Sequence, residues 1–157
     1  MLIGVVSDTH RHTWIIERVM EKLQNIDMLI HLGDNIQDVK DFKRYYSGEI
    51  INVKGNCDYS TSVPADIVTD IEGHKFLITH GHYYDVKHSL TRLKFKALEL
   101  GVEVVLFGHT HISQIIYEEG IWFVNPGSPA VARDGFNSVA VIELEGNKIN
   151  ASIRAIK

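Results

Sequence analysis

Five short apolar runs in this chain each stop on residues able to hold a metal ion. Leu2 to Val6 runs into Ser7-Asp8-Thr9-His10, and Met28 to Ile30 into His31-Leu32-Gly33-Asp34. Ile50 to Val53 leads to Lys54-Gly55-Asn56-Cys57-Asp58, and Lys75 to Thr79 to His80-Gly81-His82. Glu103 to Phe107 delivers Gly108-His109-Thr110-His111. Runs of this length and character read as buried strands. Strands joined by crossover helices run parallel, so their C-terminal ends open on one edge of a sheet, where ligands of open α/β folds gather.

The stretches between the runs supply such helices. Thr13 to Asn25 places Ile15, Val19 and Leu23 at i, i+4 and i+8, with Glu17, Arg18, Glu21 and Lys22 on the wet face. A second helix is expected over Ile36 to Tyr46, and a third over Ser89 to Leu100, closed by Gly101. Ile67 to Glu72 and Lys75 to Thr79 read as a hairpin turning at Gly73-His74. After His111 the pattern changes to two hairpins, Ile112 to Tyr117 with Ile121 to Val124 and Ser138 to Leu144 with Ile149 to Ile156. Asn125-Pro126-Gly127-Ser128-Pro129 reads as a rigid loop that turns the chain between them. His74, in its turn, and His88, at its helix start, are expected to face solvent and do no chemistry.

The 157 residues are expected to form one domain, 1–157, with a real core. A net charge of −4 gives no reason to expect nucleic-acid binding. The one cysteine, Cys57, rules out an internal disulfide and fits a reducing, cytoplasmic setting. The first apolar run is too short for a signal peptide, and no stretch approaches the ~20 apolar residues of a membrane span.

Each strand end taken alone has an ordinary reading. Asp8 and Thr9 are good helix caps, Gly55-Asn56 is a turn pair, and two loop histidines can simply face water. Five such ends together point to one polynuclear metal site. Asp8, His10, Asp34, Asn56, His80, His109 and His111 are too many donors for one tetrahedral centre. If one carboxylate bridges, each of two ions receives four protein ligands and keeps room for water. Two divalent ions about 3.5–4 Å apart can activate a shared water and clamp a phosphoryl oxygen. Against two carboxylates they leave an excess of about two positive charges, which attracts phosphate despite the acidic chain.

Asp8-x-His10, Gly33-Asp34, Gly55-Asn56, His80 and Gly108-His109-x-His111, in this order, resemble the calcineurin-like metallophosphoesterase superfamily. Gly55-Asn56-Cys57-Asp58, His80-Gly81-His82 and Asn125-Pro126-Gly127-Ser128 are similar to its small YfcE-type phosphodiesterases, relatives of the retromer subunit Vps29. The resemblance implies an α/β fold, a four-layer sandwich of two mixed β-sheets flanked by helices. It implies that Asp8, His10, Asp34 and His111 hold one ion. Asp34, Asn56, His80 and His109 would hold the other, with Asp34 as the bridge. It implies two divalent ions per chain, manganese first, with iron, zinc, nickel or cobalt also compatible with a thiolate-free site. Relatives commonly form dimers or tetramers, so a homo-oligomer is expected.

One position departs from the family. Most relatives carry a histidine after Gly-Asn that helps bind phosphate or protonate the leaving group. Here the residue is Cys57, either a small partly buried side chain or a weakened acid site. Asp58, which would orient such a histidine, is then expected to be structural. Asn56, Cys57 and His82 are the candidate substrate contacts. Two functions follow. One is a dinuclear metal-dependent phosphodiesterase acting on small phosphodiesters. The other is a Vps29-like interaction scaffold with an idle metal site. A scaffold is free to lose ligands, and none is missing here, which favours the enzyme.

Overall fold

The computed structural model describes residues 1–157. The apolar runs pair into two mixed five-stranded sheets. In the first, β1 (Leu2–Val6) is central, parallel to β2 (Met28–His31), which is parallel to β3 (Glu49–Asn52). On its other side β1 meets β9 (Ser138–Glu145) and then β10 (Lys148–Ala155), both pairings antiparallel. In the second sheet β4 (Asp66–Ile71) and β5 (His74–Thr79) form a hairpin. Then β6 (Val104–Leu106) is parallel to β5 and to β8 (Ile121–Pro126), and β7 (Ser113–Glu118) closes the edge antiparallel to β8.

The helices cover the outer faces. Ile15, Ile16, Val19 and Leu23, from the segment containing α1 (Ile16–Lys22), pack with Phe42 of α2 (Val39–Phe42) against Val6, Leu29 and Val141. Leu93 and Ala97 of α3 (Thr91–Leu100) pack against Leu77, Val105 and Phe123. Ile3, Val5 and Ile30 of one sheet meet Phe76, Ile78, Leu106 and Val124 of the other, all buried. Each such side chain contributes roughly 1.5–3 kcal/mol by leaving water. The order is helix, sheet, sheet, helix, as the resemblance implies. No helix is long and apolar enough to cross a membrane.

The first two helices are shorter than expected. Residues Thr13–Ile15 form a 3-10 turn behind His12, which makes no side-chain cap, before α1 begins. Ile36–Asp38 is also a 3-10 turn, and α2 is a single turn. The Asp58 carboxylate takes the N–H groups of Asn35 and Ile36, and Asp38 takes that of Arg11, so tertiary partners replace a regular helix start.

Register explains where the chemistry gathers. Val6, His31 and Asn52 stand side by side at the ends of β1, β2 and β3. Ile78, Leu106 and Val124 do the same in β5, β6 and β8. The loops that follow leave both sheets at matching ends. Gly108 N–H donates to His80 O at 3.0 Å, and Asp8 N–H to Gly33 O at 3.0 Å.

Candidate metal centre

Two donor groups form where these loops meet. Asp8, His10, Asp34 and His111 offer ligand atoms all within 4.8 Å of one another. Asp34, His80 and His109 make the second group. Asn56 joins it through Oδ1, 3.2 Å from His80 Nε2. Asp34 belongs to both, with Oδ2 3.7 Å from His10 Nε2 and 3.5 Å from His80 Nε2.

The backbone is bent to achieve this. Asp8, His10, Asp34, His109 and His111 all have φ between 47° and 67°, in the left-handed region. Asp and His are among the few types that enter it, at a cost of roughly 1 kcal/mol each. Close approach of the loops needs glycine at two points. A Cβ on Gly55 would overlap Asp34 Oδ1, and one on Gly108 would overlap Ser7 Oγ.

Hydrogen bonds outside the cluster aim the donors inward. His80 Nδ1–H donates to Leu32 O at 2.7 Å, and His111 Nδ1–H to Val131 O at 3.0 Å. Each ring therefore turns its Nε2 toward the cluster, where the neutral imidazole offers a lone pair, as metal-binding imidazoles do. Asp34 Oδ1 accepts from Cys57 N–H at 2.9 Å. Asp8 Oδ2 accepts from Ser7 Oγ at 2.6 Å and His109 N–H at 3.1 Å. Its Oδ1 is buried with no hydrogen-bond partner. A buried carboxylate oxygen without a donor is costly, and a cation at that point removes the cost. The donor set, oxygen and imidazole without thiolate, suits divalent ions from manganese to zinc.

The charges are coupled. Burial raises the Asp8 pKa, but His111 and His80 beside it outweigh burial and hold it below the usual carboxylate value. Asp34 behaves likewise, with His80 and the Cys57 N–H overcoming burial, and lies well below the ordinary range. Burial pulls His80 down, yet Asp34 and Asp8 outweigh it and favour the imidazolium. His109 is pushed down to about 4 by burial, with His80 and Lys87 adding to the effect. When no cation is bound, a proton on His80 Nε2 lies beside both carboxylates, 3.5 Å from Asp34 Oδ2 and 3.9 Å from Asp8 Oδ1.

The sequence pattern of the calcineurin-like phosphoesterase superfamily domain matches residues 1–147. The chain belongs to that superfamily. It is 34% identical to a probable metallophosphoesterase of Methanothermobacter thermautotrophicus, over 98% of this chain and 91% of that protein. It is 28% identical to the phosphodiesterase MJ0936 of Methanocaldococcus jannaschii, over 92% and 94% of the two chains. A predicted phosphoesterase from Streptococcus pneumoniae superposes with a TM-score of 0.80 at 28% identity, covering 98% of this chain and 88% of that one. Zinc-complexed Vps29 from Entamoeba histolytica has a TM-score of 0.78 at 20% identity over 100% of both chains, a likeness of fold alone.

Within this metallophosphoesterase, residues outside the donor set hold the donor loops, Asp58 among them in the structural role expected of it. His31, fully buried, accepts Gly33 N–H on Nδ1 at 3.2 Å and so donates from Nε2 to Thr9 Oγ1 at 3.1 Å. Asn125 and Ser128 do more than turn the chain. Asn125 Nδ2 donates to Gly108 O and Thr110 Oγ1, and Ser128 Oγ donates to Asp8 O at 2.8 Å. The Asp58 carboxylate accepts the N–H groups of Asp34, Asn35, Ile36 and Gly55 at 2.8–3.0 Å, lashing two donor loops together. A polar residue in an apolar run, as His31 is, signals a buried partner, but not which one.

His74 departs from its expected place in solvent. The turn is Glu72-Gly73, with φ of 53° and 82°, and His74 is the buried first residue of β5. Its Nδ1 lies 3.2 Å from Glu103 Oε2 and its Nε2 2.8 Å from Gly146 O in the β9–β10 turn, so it ties the two sheets together. His88 is exposed, as expected, and pairs with Asp85. His82 packs against His80 and His109, with ring centroids 5.3 and 6.1 Å away, and its buried Nδ1 has no partner. Cys57 is half-buried, and burial with Asp34 nearby pushes its thiol up to about 11.

Proposed function

We propose that this chain is a metal-dependent phosphodiesterase that cleaves small phosphodiesters with a water activated by two divalent ions. The observation that carries the reading is the membership of Asp34 in both donor groups. Asp8, His10, Asp34 and His111 would hold one ion. Asp34, Asn56, His80 and His109 would hold the other. Such ions, when bound, acidify a shared water and polarise the phosphoryl oxygens. Residues 1–157 act as one domain in this account.

The chain's own groups do the positioning. Asp34 sets the spacing of the two halves, and the Leu32 and Val131 carbonyls fix the tautomers of His80 and His111. His82, Asn56 and Cys57 border the second half and contact the substrate. The Cys57 thiol stays protonated at neutral pH, carries no positive charge and donates poorly. Leaving groups that need little protonation, such as aryl oxides, are therefore favoured, and diesters over monoesters. The name of the similar protein MJ0936, a phosphodiesterase, agrees with this substrate class.

Turnover of bis(p-nitrophenyl) phosphate by manganese-loaded protein, abolished by chelation and restored by manganese, is the expected result. A scaffold of the Vps29 kind forecasts no turnover under any metal.

A further inference from the structure

Beside the donor loops lies a cavity of about 320 Å³ that the proposed chemistry does not use. Val86, Lys87, Thr110, Ile112, Gln114 and Arg133 line it. A water's share of liquid volume is about 30 Å³, so the space is that of roughly ten waters, enough for a phosphate group. Thr110 sits between His109 and His111, which makes the cavity wall and the candidate metal loop the same piece of chain. Arg133 N–H donates to His111 O at 2.9 Å. The charge of Lys87 is felt at His109.

The polar character of the cavity is one-sided. The Thr110 hydroxyl is already committed to Asn125 Nδ2 and Ile112. Lys87 and Arg133 form no ion pair. Asp85 pairs with His88, and Asp134 Oδ2 accepts from Ser113 N–H and Oγ, while its Oδ1 is buried away from solvent without a partner. The Gln114 carboxamide has no hydrogen-bond partner in the chain. Two unpaired cations and a free amide thus face one space, in a chain whose net charge is −4. Val86 and Ile112 give that space an apolar side. Such a set matches a phosphate on an uncharged carrier, because guanidinium, ammonium and amide N–H groups all donate to phosphate oxygens.

We infer that this cavity binds a second phosphate of the substrate, so that the preferred phosphodiester carries a phosphomonoester on the group adjoining the scissile bond. This rests on the phosphodiesterase reading above and narrows its substrate class.

The test compares p-nitrophenyl thymidine 5′-phosphate with its 3′-phosphorylated form, on manganese-loaded protein. The expected result is a KM about ten-fold lower for the phosphorylated compound, with little change in kcat, and an advantage that shrinks as salt rises. The double variant Lys87→Ala, Arg133→Ala should lose that advantage while keeping its metal content and its kcat/KM on the unphosphorylated ester. Equal KM values in the unmodified protein, or an advantage that survives in the double variant, overturn the inference. If neither ester is cleaved, the phosphodiesterase reading fails, and calorimetry judges the cavity by itself. Tighter binding of thymidine 3′,5′-bisphosphate than of thymidine 5′-monophosphate, lost in the double variant, supports it. Equal binding of the two overturns it.

Discussion

The Nε2 atoms of His10 and His111, 101 residues apart in sequence, stand 3.3 Å from one another. His111 uses its Nδ1–H on the Val131 carbonyl, so its Nε2 brings a lone pair to this contact. Both Nε2 atoms also neighbour Asp8 Oδ1, at 3.8 and 3.1 Å. Lone pairs and a carboxylate oxygen gathered this tightly call for a cation among them. Protons and metal ions compete for that role, and the competition sets how the protein answers to pH.

Metal-free protein should be most stable near pH 6.5. His80 has a folded-state pKa raised above the ordinary imidazole value of about 6.5 by Asp34 and Asp8, so its stabilisation is complete below that value and is lost as pH rises through the folded pKa. His109, His82 and His31 have lowered values, so their contribution is present above 6.5 and lost as pH falls toward the folded pKa values. Bound metal replaces the His80 proton and should remove the loss on the alkaline side. Tm measured against pH, with chelator and with manganese, checks this. An alkaline decline of equal size in both forms would refute the exchange of proton for metal.

Asp58→Ala should lower stability by about 2–4 kcal/mol and weaken metal retention, because four backbone N–H groups lose one charged acceptor. Denaturant unfolding and metal content after dialysis are the measurements. Unchanged values for both would mean that other contacts hold the Asp34 loop.

His74→Ala should separate stability from function. The side chain joins β5, Glu103 and the β9–β10 turn away from the donor loops. Loss of its buried hydrogen bonds should cost about 1–3 kcal/mol in unfolding, while kcat/KM at a temperature where the variant is folded stays the same. A loss of turnover in folded variant would overturn its purely structural assignment.

Cys57→His tests leaving-group selectivity. A general acid is typically worth about 10²–10⁴-fold, and the thiol, held protonated up to about 11, is a poor one. The wild-type rate should fall steeply as leaving-group pKa rises across aryl and alkyl diesters, and the variant should show a shallower slope. Equal slopes would assign Cys57 to packing alone.

The site was more legible in the sequence than the helices were. Asp8 and Asp34 follow parallel strands of one sheet, His80 and His109 follow parallel strands of the other, and face-to-face packing of the two sheets brings the two pairs together. The helix expected over Thr13 to Asn25 shortened because local periodicity is silent on how its start is tied down. Ser128 reaches the Asp8 carbonyl across 120 residues, and Asp58 reaches Asp34 across 24. Those contacts depend on loop conformation, which no periodic pattern encodes. His74 was misplaced because Glu72, not His74, completes the turn with Gly73.

The central claim is that two ions share Asp34, and metal stoichiometry alongside turnover tests it most directly. Elemental analysis of manganese-loaded protein and of Asp34→Asn should be paired with hydrolysis of bis(p-nitrophenyl) phosphate. The account predicts two ions per chain in the unmodified protein, and a lower metal content with no measurable turnover in the variant. Two ions per chain and full turnover in Asp34→Asn would contradict it.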